Sequence, residues 1–342
     1  MKEKIGFIAV GQAGGNIGSR FEKIGYDVLF VNTSKEDLDT LDTKFKYHIK
    51  GGEGCNKDRN KAKDLVIEDF ESISKEIDAK LKNKFIYVIF SSGGGTGSGA
   101  SPMLIDLLSQ HMEKEVGAVT ILPSKHEPLK THINAYECFR ELEEIEGIAS
   151  IVTLDNNACE NKLCINKDFV ELFEKMLDMP NNKDIRGNID KAEVMEIIRS
   201  KGMLTITRVD KEETTTARVI ESLKSNIYAP IENDKVIKYI GIVTAKPVEL
   251  VELKKEVGSY LDVFQGYGKE TVCVLAGLSL PFKRLEEIKK EVEDNQEVVK
   301  KNLQSTNSVK LTQGINFLDE PLIQKKTSSN GKNDIFAKYR KK

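Results

Sequence analysis

The chain has 342 residues, of which 39% are hydrophobic and 31% charged, with a formal net charge of −2. This is the composition of an ordinary globular protein long enough for two domains with their own cores. The near-balance of charge gives the whole molecule no general affinity for nucleic acid or a membrane surface, although local clusters can still act.

No stretch approaches the ~18 apolar residues of a membrane span, and the start, Met1-Lys-Glu-Lys-Ile, lacks the apolar run of a signal peptide. A cytoplasmic chain that does not insert into a membrane is expected. The cysteines Cys55, Cys138, Cys159, Cys164 and Cys273 are scattered, odd in number and without a C-x-x-C pair. They read as reduced thiols and not as a zinc or disulfide framework.

In chain order, 5–10 is a short apolar strand ending in a glycine-rich turn, and 27–31 is a second. Ala62, Leu65, Val66, Phe70, Ile73, Ile77 and Leu81 recur at helical spacing, predicting a helix over 60–81. A strand over 85–90, a second glycine loop and a helix over 102–112 follow, then strands over 116–122 and 150–154. Strands apolar on both faces and separated by helices imply a parallel sheet covered on both sides. Ile165, Phe169, Leu172, Phe173, Met176 and Leu177 form one stripe of a further helix. The polar run 181–187 then suggests a boundary, followed by a second α/β unit with strands over 203–209, 236–245 and 271–279 and helices over 214–223, 248–261 and 282–303. The division expected is a Rossmann-like domain over 1–160, a central helix over 161–180, a second α/β domain over 181–322 and a flexible basic tail over 323–342.

Two strand–glycine–helix junctions could cradle phosphate. Glycine lets backbone N–H groups approach a ligand, and a helix N-terminus adds unpaired donors and a favourable dipole. The first, Val10-Gly-Gln-Ala-Gly-Gly-Asn16, fits neither G-x-G-x-x-G nor a P-loop and is also consistent with a tight structural turn. The second has five glycines in the seven positions 93–99. So dense a run between a strand and a helix is poorly explained as a linker. Thr96 and Ser98 add hydroxyls for phosphate or a metal-bound water.

The run Gly93-Gly-Gly-Thr-Gly-Ser-Gly99 resembles the phosphate-loop signature of the tubulin/FtsZ superfamily. That resemblance covers roughly residues 1–280 and implies the tubulin/FtsZ fold, GTP/GDP as ligand and Mg2+ bound mainly through the phosphates without direct protein ligation. It also implies nucleotide-binding roles for Gly11, Gln12, Ala13, Gly14 and Asn16, for Asn32, and for Gly93, Gly94, Gly95, Thr96, Gly97 and Ser98. The glycine-bearing stretch 51–56 stands where that family senses terminal phosphates, and Pro123 with Glu127 where it contacts ribose. Asn156 and Asn166 match the positions that read guanine; an amide both donates and accepts, as that edge requires. Read alone, they would equally suit a turn residue and a helix N-cap.

The segment Asn188-Ile-Asp-Lys-Ala-Glu-Val194 resembles the family's catalytic loop, which completes the nucleotide site of the next subunit. Asn188, Asp190 and Glu193 are the matching positions, with Glu193 in place of an aspartate. Asp190-x-x-Glu193 is equally a capping-box pattern. The resemblance implies a GTPase activated by head-to-tail self-assembly into filaments. Lys191 and Glu193 depart from the cell-division branch, and the divergent TubZ-like proteins of plasmids and phages are more similar. On that reading the filament segregates DNA through an adaptor on a centromere-like site, contacted by the basic tail 334–342. A division-ring protein and a dinucleotide-dependent Rossmann enzyme are the alternatives. The second lacks the acidic ribose residue, since the strand end reads Phe30-Val-Asn-Thr.

Overall fold

A computed structural model of the chain describes residues 1–232 and 236–306. Residues 1–289 make one compact unit and 290–342 a second. The tail expected over 323–342 lies outside the described residues.

The strands are β1 (Ile5–Val10), β2 (Asp27–Asn32), β3 (Lys46–His48), β4 (Phe85–Ser91), β5 (Glu115–Leu122), β6 (Ile148–Asp155), β7 (Gly202–Val209), β8 (Val236–Thr244), β9 (Ser259–Tyr267) and β10 (Thr271–Leu278). They form one sheet in the order β3-β2-β1-β4-β5-β6-β7-β10-β8-β9. Pairing is parallel from β3 through β7, antiparallel on both sides of β10, and parallel again between β8 and β9. The halves join where Ser150 and Ile151 of β6 face Gly202 and Met203 of β7. The sheet is therefore continuous across the polar loop at 181–190.

The helices are α1 (Gly11–Lys23), α2 (Lys35–Asp39), α3 (Arg59–Lys80), α4 (Thr96–His111), α5 (Leu129–Glu144), α6 (Lys162–Asp178), α7 (Lys191–Arg199), α8 (Thr216–Lys224), α9 (Leu250–Val257) and α10 (Phe282–Thr306). β1 and β6 are buried along their whole length, as strands apolar on both faces require. The apolar stripe of α6 buries Phe169 and Phe173 against Phe21 of α1, with ring centroids 5.9 and 5.4 Å apart. Each buried ring contributes about 2–3 kcal/mol of transfer free energy. This packing fixes α6 against the sheet.

Three elements depart from the sequence expectation. The helix expected from Pro102 begins six residues earlier, at Thr96, with Pro102 inside it. Proline cannot donate to the carbonyl four residues back, and that carbonyl, of Ser98, instead accepts from Arg59 Nη2 at 3.1 Å. The helix expected over 248–261 stops at Val257, because Gly258 adopts φ +100°. The chain then turns into β9, an edge strand whose Leu261 is exposed, so its pattern lacks the alternation of a half-buried strand. Short α2 and β3, and the long α5, are not singled out by periodicity.

Candidate functional site

A cleft of about 600 Å3 opens at the C-terminal ends of β1, β4 and β5, where α1 and α4 begin. Neither helix has a side-chain N-cap; Val10 and Gly95 occupy those positions. In contrast α3, α6, α7 and α8 are capped by Asp58, Asn161, Asp190 and Thr215. The first N–H groups of α1 and α4 therefore remain available to an anion in the cleft.

Gly11, Gln12, Ala13 and Asn16 of α1 line this cleft, as do Asn32 and Gly93, Gly94, Gly95, Thr96 and Gly97. Glu127, Asn156 and Asn166 close its other end. Two expected ligand residues do not line it. Gly14 faces β4, where a Cβ would stand 2.3 Å from the Ile89 carbonyl oxygen. Ser98 is fully buried, with its hydroxyl turned back onto the Gly94 carbonyl. The side-chain positions of both are taken up by packing within the loops. The Thr96 hydroxyl does reach the cleft and lies 2.6 Å from that of Thr33.

The far end is organised around Glu127. Its Oε1 accepts from Asn156 Nδ2 at 3.1 Å, Lys162 Nζ at 2.7 Å and the Ser124 N–H at 3.2 Å. Burial pushes this carboxyl upward, but the bonds from Lys162, Asn156 and Ser124 together with the Lys162 charge outweigh it and hold it below the usual carboxylate range. The bonds orient the Asn156 amide. Beneath it, Arg284 Nε donates to Asp155 Oδ2 at 2.9 Å and Nη2 to the Pro123 carbonyl at 2.7 Å, tying together the two loops. Asn166 sits in the second turn of α6, largely buried; the N-cap is Asn161. Among the described residues no partner takes up the Asn166 amide, which leaves it open to the cleft.

The lowered Glu127 carboxyl has a pH consequence. Its stabilisation is fully present above the ordinary carboxylate value and is lost as pH falls through the lowered one. The Glu127–Lys162 pair is partly exposed, so it contributes at most about 1 kcal/mol. The thermal midpoints of the wild type and Glu127→Gln should differ by at most about 2 °C. That gap should be constant from pH 8 to about pH 5, because the ordinary carboxylate value is ~4.3, and should close only as pH falls through the lowered value of the folded carboxyl.

The acidic loop lies elsewhere. None of Asn188, Asp190 and Glu193 lines the cleft. α6 has 17 residues, about 25 Å at 1.5 Å per residue. Its first turns meet the cleft, and the acidic loop follows its last. Asp190 and Glu193 form a complete capping box for α7. Asp190 Oδ1 accepts from the N–H groups of Ala192 at 2.6 Å and Glu193 at 2.9 Å, while Glu193 Oε2 accepts from the Asp190 N–H at 2.7 Å. Glu193 Oε1 and Asp190 Oδ2 stay outside the box. Asn188 Oδ1 accepts from the Asp184 N–H at 2.9 Å and so braces the loop internally. Arg186 grips Asp184 with its side chain and packs 4.2 Å over the Tyr267 ring, holding the Asp184 carboxyl well below its usual range. The loop is thus pre-shaped, with Ile185 fully exposed at its tip.

Sequence reasoning did not single out Asp37, Lys57, Thr131, Lys162 or Leu163, all of which line the cleft. Lys57 directly follows the glycine-bearing stretch 51–56; the chain positions of the others carry no glycine or motif signal, and only the tertiary fold brings them there.

Comparison with known proteins agrees with this geometry. Residues 4–163 match the family model described as the Tubulin/FtsZ family, GTPase domain. The tubulin-like protein TubZ of Clostridium botulinum C phage is 31% identical, over 99% of this chain and 100% of its own length. The crystal structure of the C. botulinum phage c-st TubZ superposes with a TM-score of 0.79 at 30% identity, covering 87% of this chain and 99% of that one. A GTPγS-form protofilament of Bacillus thuringiensis serovar israelensis TubZ shares the fold, with a TM-score of 0.74 at 17% identity over 89% of this chain and 94% of that one. No helix among the described residues is long and apolar enough to cross a membrane. The chain belongs to the tubulin/FtsZ family of GTPases, among its TubZ-like members.

Proposed function

We propose that this GTPase polymerises head to tail, and that the acidic loop of one subunit completes the nucleotide cleft of the next. The observation that carries this reading is the position of the loop. Its carboxylates stand at the end of α6 remote from the cleft, on a pre-shaped and exposed segment. A heterologous contact of that kind does not close on itself and grows as a filament. The protofilament form of the B. thuringiensis protein supports it.

In this mechanism the backbone donors of α1 and α4 bind the phosphates, and Asn156 and Asn166 select guanine. The neighbour's Glu193 and Asp190 orient the attacking water, each through the oxygen its capping box leaves unused. Among the described residues no cluster of three or more His, Cys, Asp or Glu could hold a metal ion. A Mg2+ would arrive on the phosphates, with the Thr96 hydroxyl at hand, and would supply charge neutralisation there.

Light scattering and phosphate release, followed together with GTP, GDP and ATP, test the reading. Scattering should rise with GTP, should be weak with GDP and absent with ATP, and phosphate should appear only as scattering develops. Phosphate release from GTP without any rise in scattering would contradict it. Asn166→Ala should lower the preference for GTP over ATP by at least about tenfold in competition binding, because it removes a buried base-reading amide.

The filament's cargo is proposed to be plasmid or phage DNA, held through an adaptor that contacts the basic segment 334–342. The phage origin of the 31% identical relative supports this. That segment lies outside the described residues. Deleting it should leave GTP-dependent scattering intact and abolish recruitment of the adaptor–DNA complex; retained recruitment would remove the tail from this role.

A further inference from the structure

The chain carries a lysine against its phosphate loop. Asn56 and Lys57 both adopt left-handed backbone, with φ +43° and +61°. This is uncommon for lysine, and strain of this kind gathers at functional sites. The conformation brings the 55–57 backbone hard against Gly95, where a Cβ would meet the Lys57 nitrogen at 2.9 Å. The buried Asn134 locks this arrangement: its Nδ2 lies 3.0 Å from the Lys57 carbonyl oxygen and 3.2 Å from those of Gly93 and Gly94.

The Lys57 side chain lines the cleft, and its Nζ donates to Thr131 Oγ1 at 2.7 Å. Among the described residues, the cations that line the cleft are Lys57 and Lys162. Lys162 is paired with Glu127. Among the described residues no carboxylate stands within ion-pairing distance of Lys57. A triphosphate brings several negative charges to a place where the main chain offers only partial ones. We propose that Lys57 is the cation that binds the nucleotide's phosphate chain, with Thr131 aiming its ammonium and Asn134 fixing its backbone to the loop.

This inference rests on the cleft being a GTP site and adds a residue to it. Titration calorimetry with GTP, GDP and guanosine tests it in the wild type, Lys57→Asn and Lys57→Arg. Asparagine tolerates left-handed backbone, so Lys57→Asn removes the charge without disturbing the loop. Loss of a charge-assisted bond predicts about a tenfold to hundredfold weakening for GTP. A smaller loss is expected for GDP and none for guanosine, with most of the affinity restored in Lys57→Arg. Equal GTP affinity in the wild type and Lys57→Asn would overturn the assignment, as would an equal loss for GTP and guanosine. Lys57→Gly, free of strain at this φ, serves if Lys57→Asn does not fold. Failure of the wild type to bind GTP at all would instead strike the GTP reading itself.

Discussion

Glu193→Gln should hydrolyse GTP at least about a hundredfold more slowly than the wild type while binding nucleotide, assembling and melting as the wild type does. The size follows from removing a group that orients or deprotonates the nucleophile, an effect of about 10² to 10⁴. The choice of glutamine follows from the structure. Glu193 has a structural task, accepting the Asp190 N–H at 2.7 Å. Glutamine at this position of a capping box performs the same task. The amide therefore keeps α7 capped and removes only the charge. Glu193→Ala removes both, and should lose about 0.5–1 kcal/mol of stability in addition to the activity. If Glu193→Gln turns over at the wild-type rate and only Glu193→Ala is impaired, Glu193 is a cap and nothing more. The corresponding pair at the N-cap is Asp190→Asn and Asp190→Ala. Rates should be taken with saturating GTP, at protein concentrations where scattering shows complete assembly, so that a defect in association is not read as one in hydrolysis.

Gly14→Ala should destabilise the fold by about 3 kcal/mol, the upper range for forcing a methyl group into a packed core. An ideal Cβ there stands 2.3 Å from the Ile89 carbonyl oxygen. That oxygen belongs to the backbone of β4, in the middle of the sheet, and cannot move aside. The thermal midpoint should fall by roughly 5 °C. Any nucleotide affinity lost should return on cooling to where the variant is folded, because the added methyl group would meet the sheet and not the cleft. An unchanged midpoint with weakened GTP binding would mean the opposite, and would restore Gly14 as a contact.

These variants show which part of the site was legible in the sequence. The glycine run at 93–99 marked a candidate backbone-lined anion site through composition alone, and Gly11, Gln12, Ala13 and Asn16 line the same cleft. What could not be read was the direction in which each residue faces. Gly14 and Ser98 sit inside the right loops but turn away from the cleft. Lys57 and Thr131 come from segments 74 residues apart and meet at 2.7 Å, which no local pattern encodes. The same limit governed the elements. Doubly buried strands and the stripe of α6 were plain because burial dictates their residues. Pro102 concealed the first turns of α4, since the sequence does not show that Arg59 satisfies the carbonyl it leaves unpaired. The edge strand β9 was concealed because exposure removes its pattern.

The central claim is that hydrolysis occurs at a site made by two subunits. GTP turnover per subunit, measured across a wide range of protein concentration, tests it most directly. A composite site predicts negligible turnover per subunit at low concentration. Turnover should then rise steeply at the concentration where scattering appears and level off once nearly all subunits are assembled. Turnover per subunit that is constant down to concentrations with no detectable assembly would show that one chain hydrolyses GTP by itself. It would contradict the assignment of Asp190 and Glu193 to a neighbour's cleft.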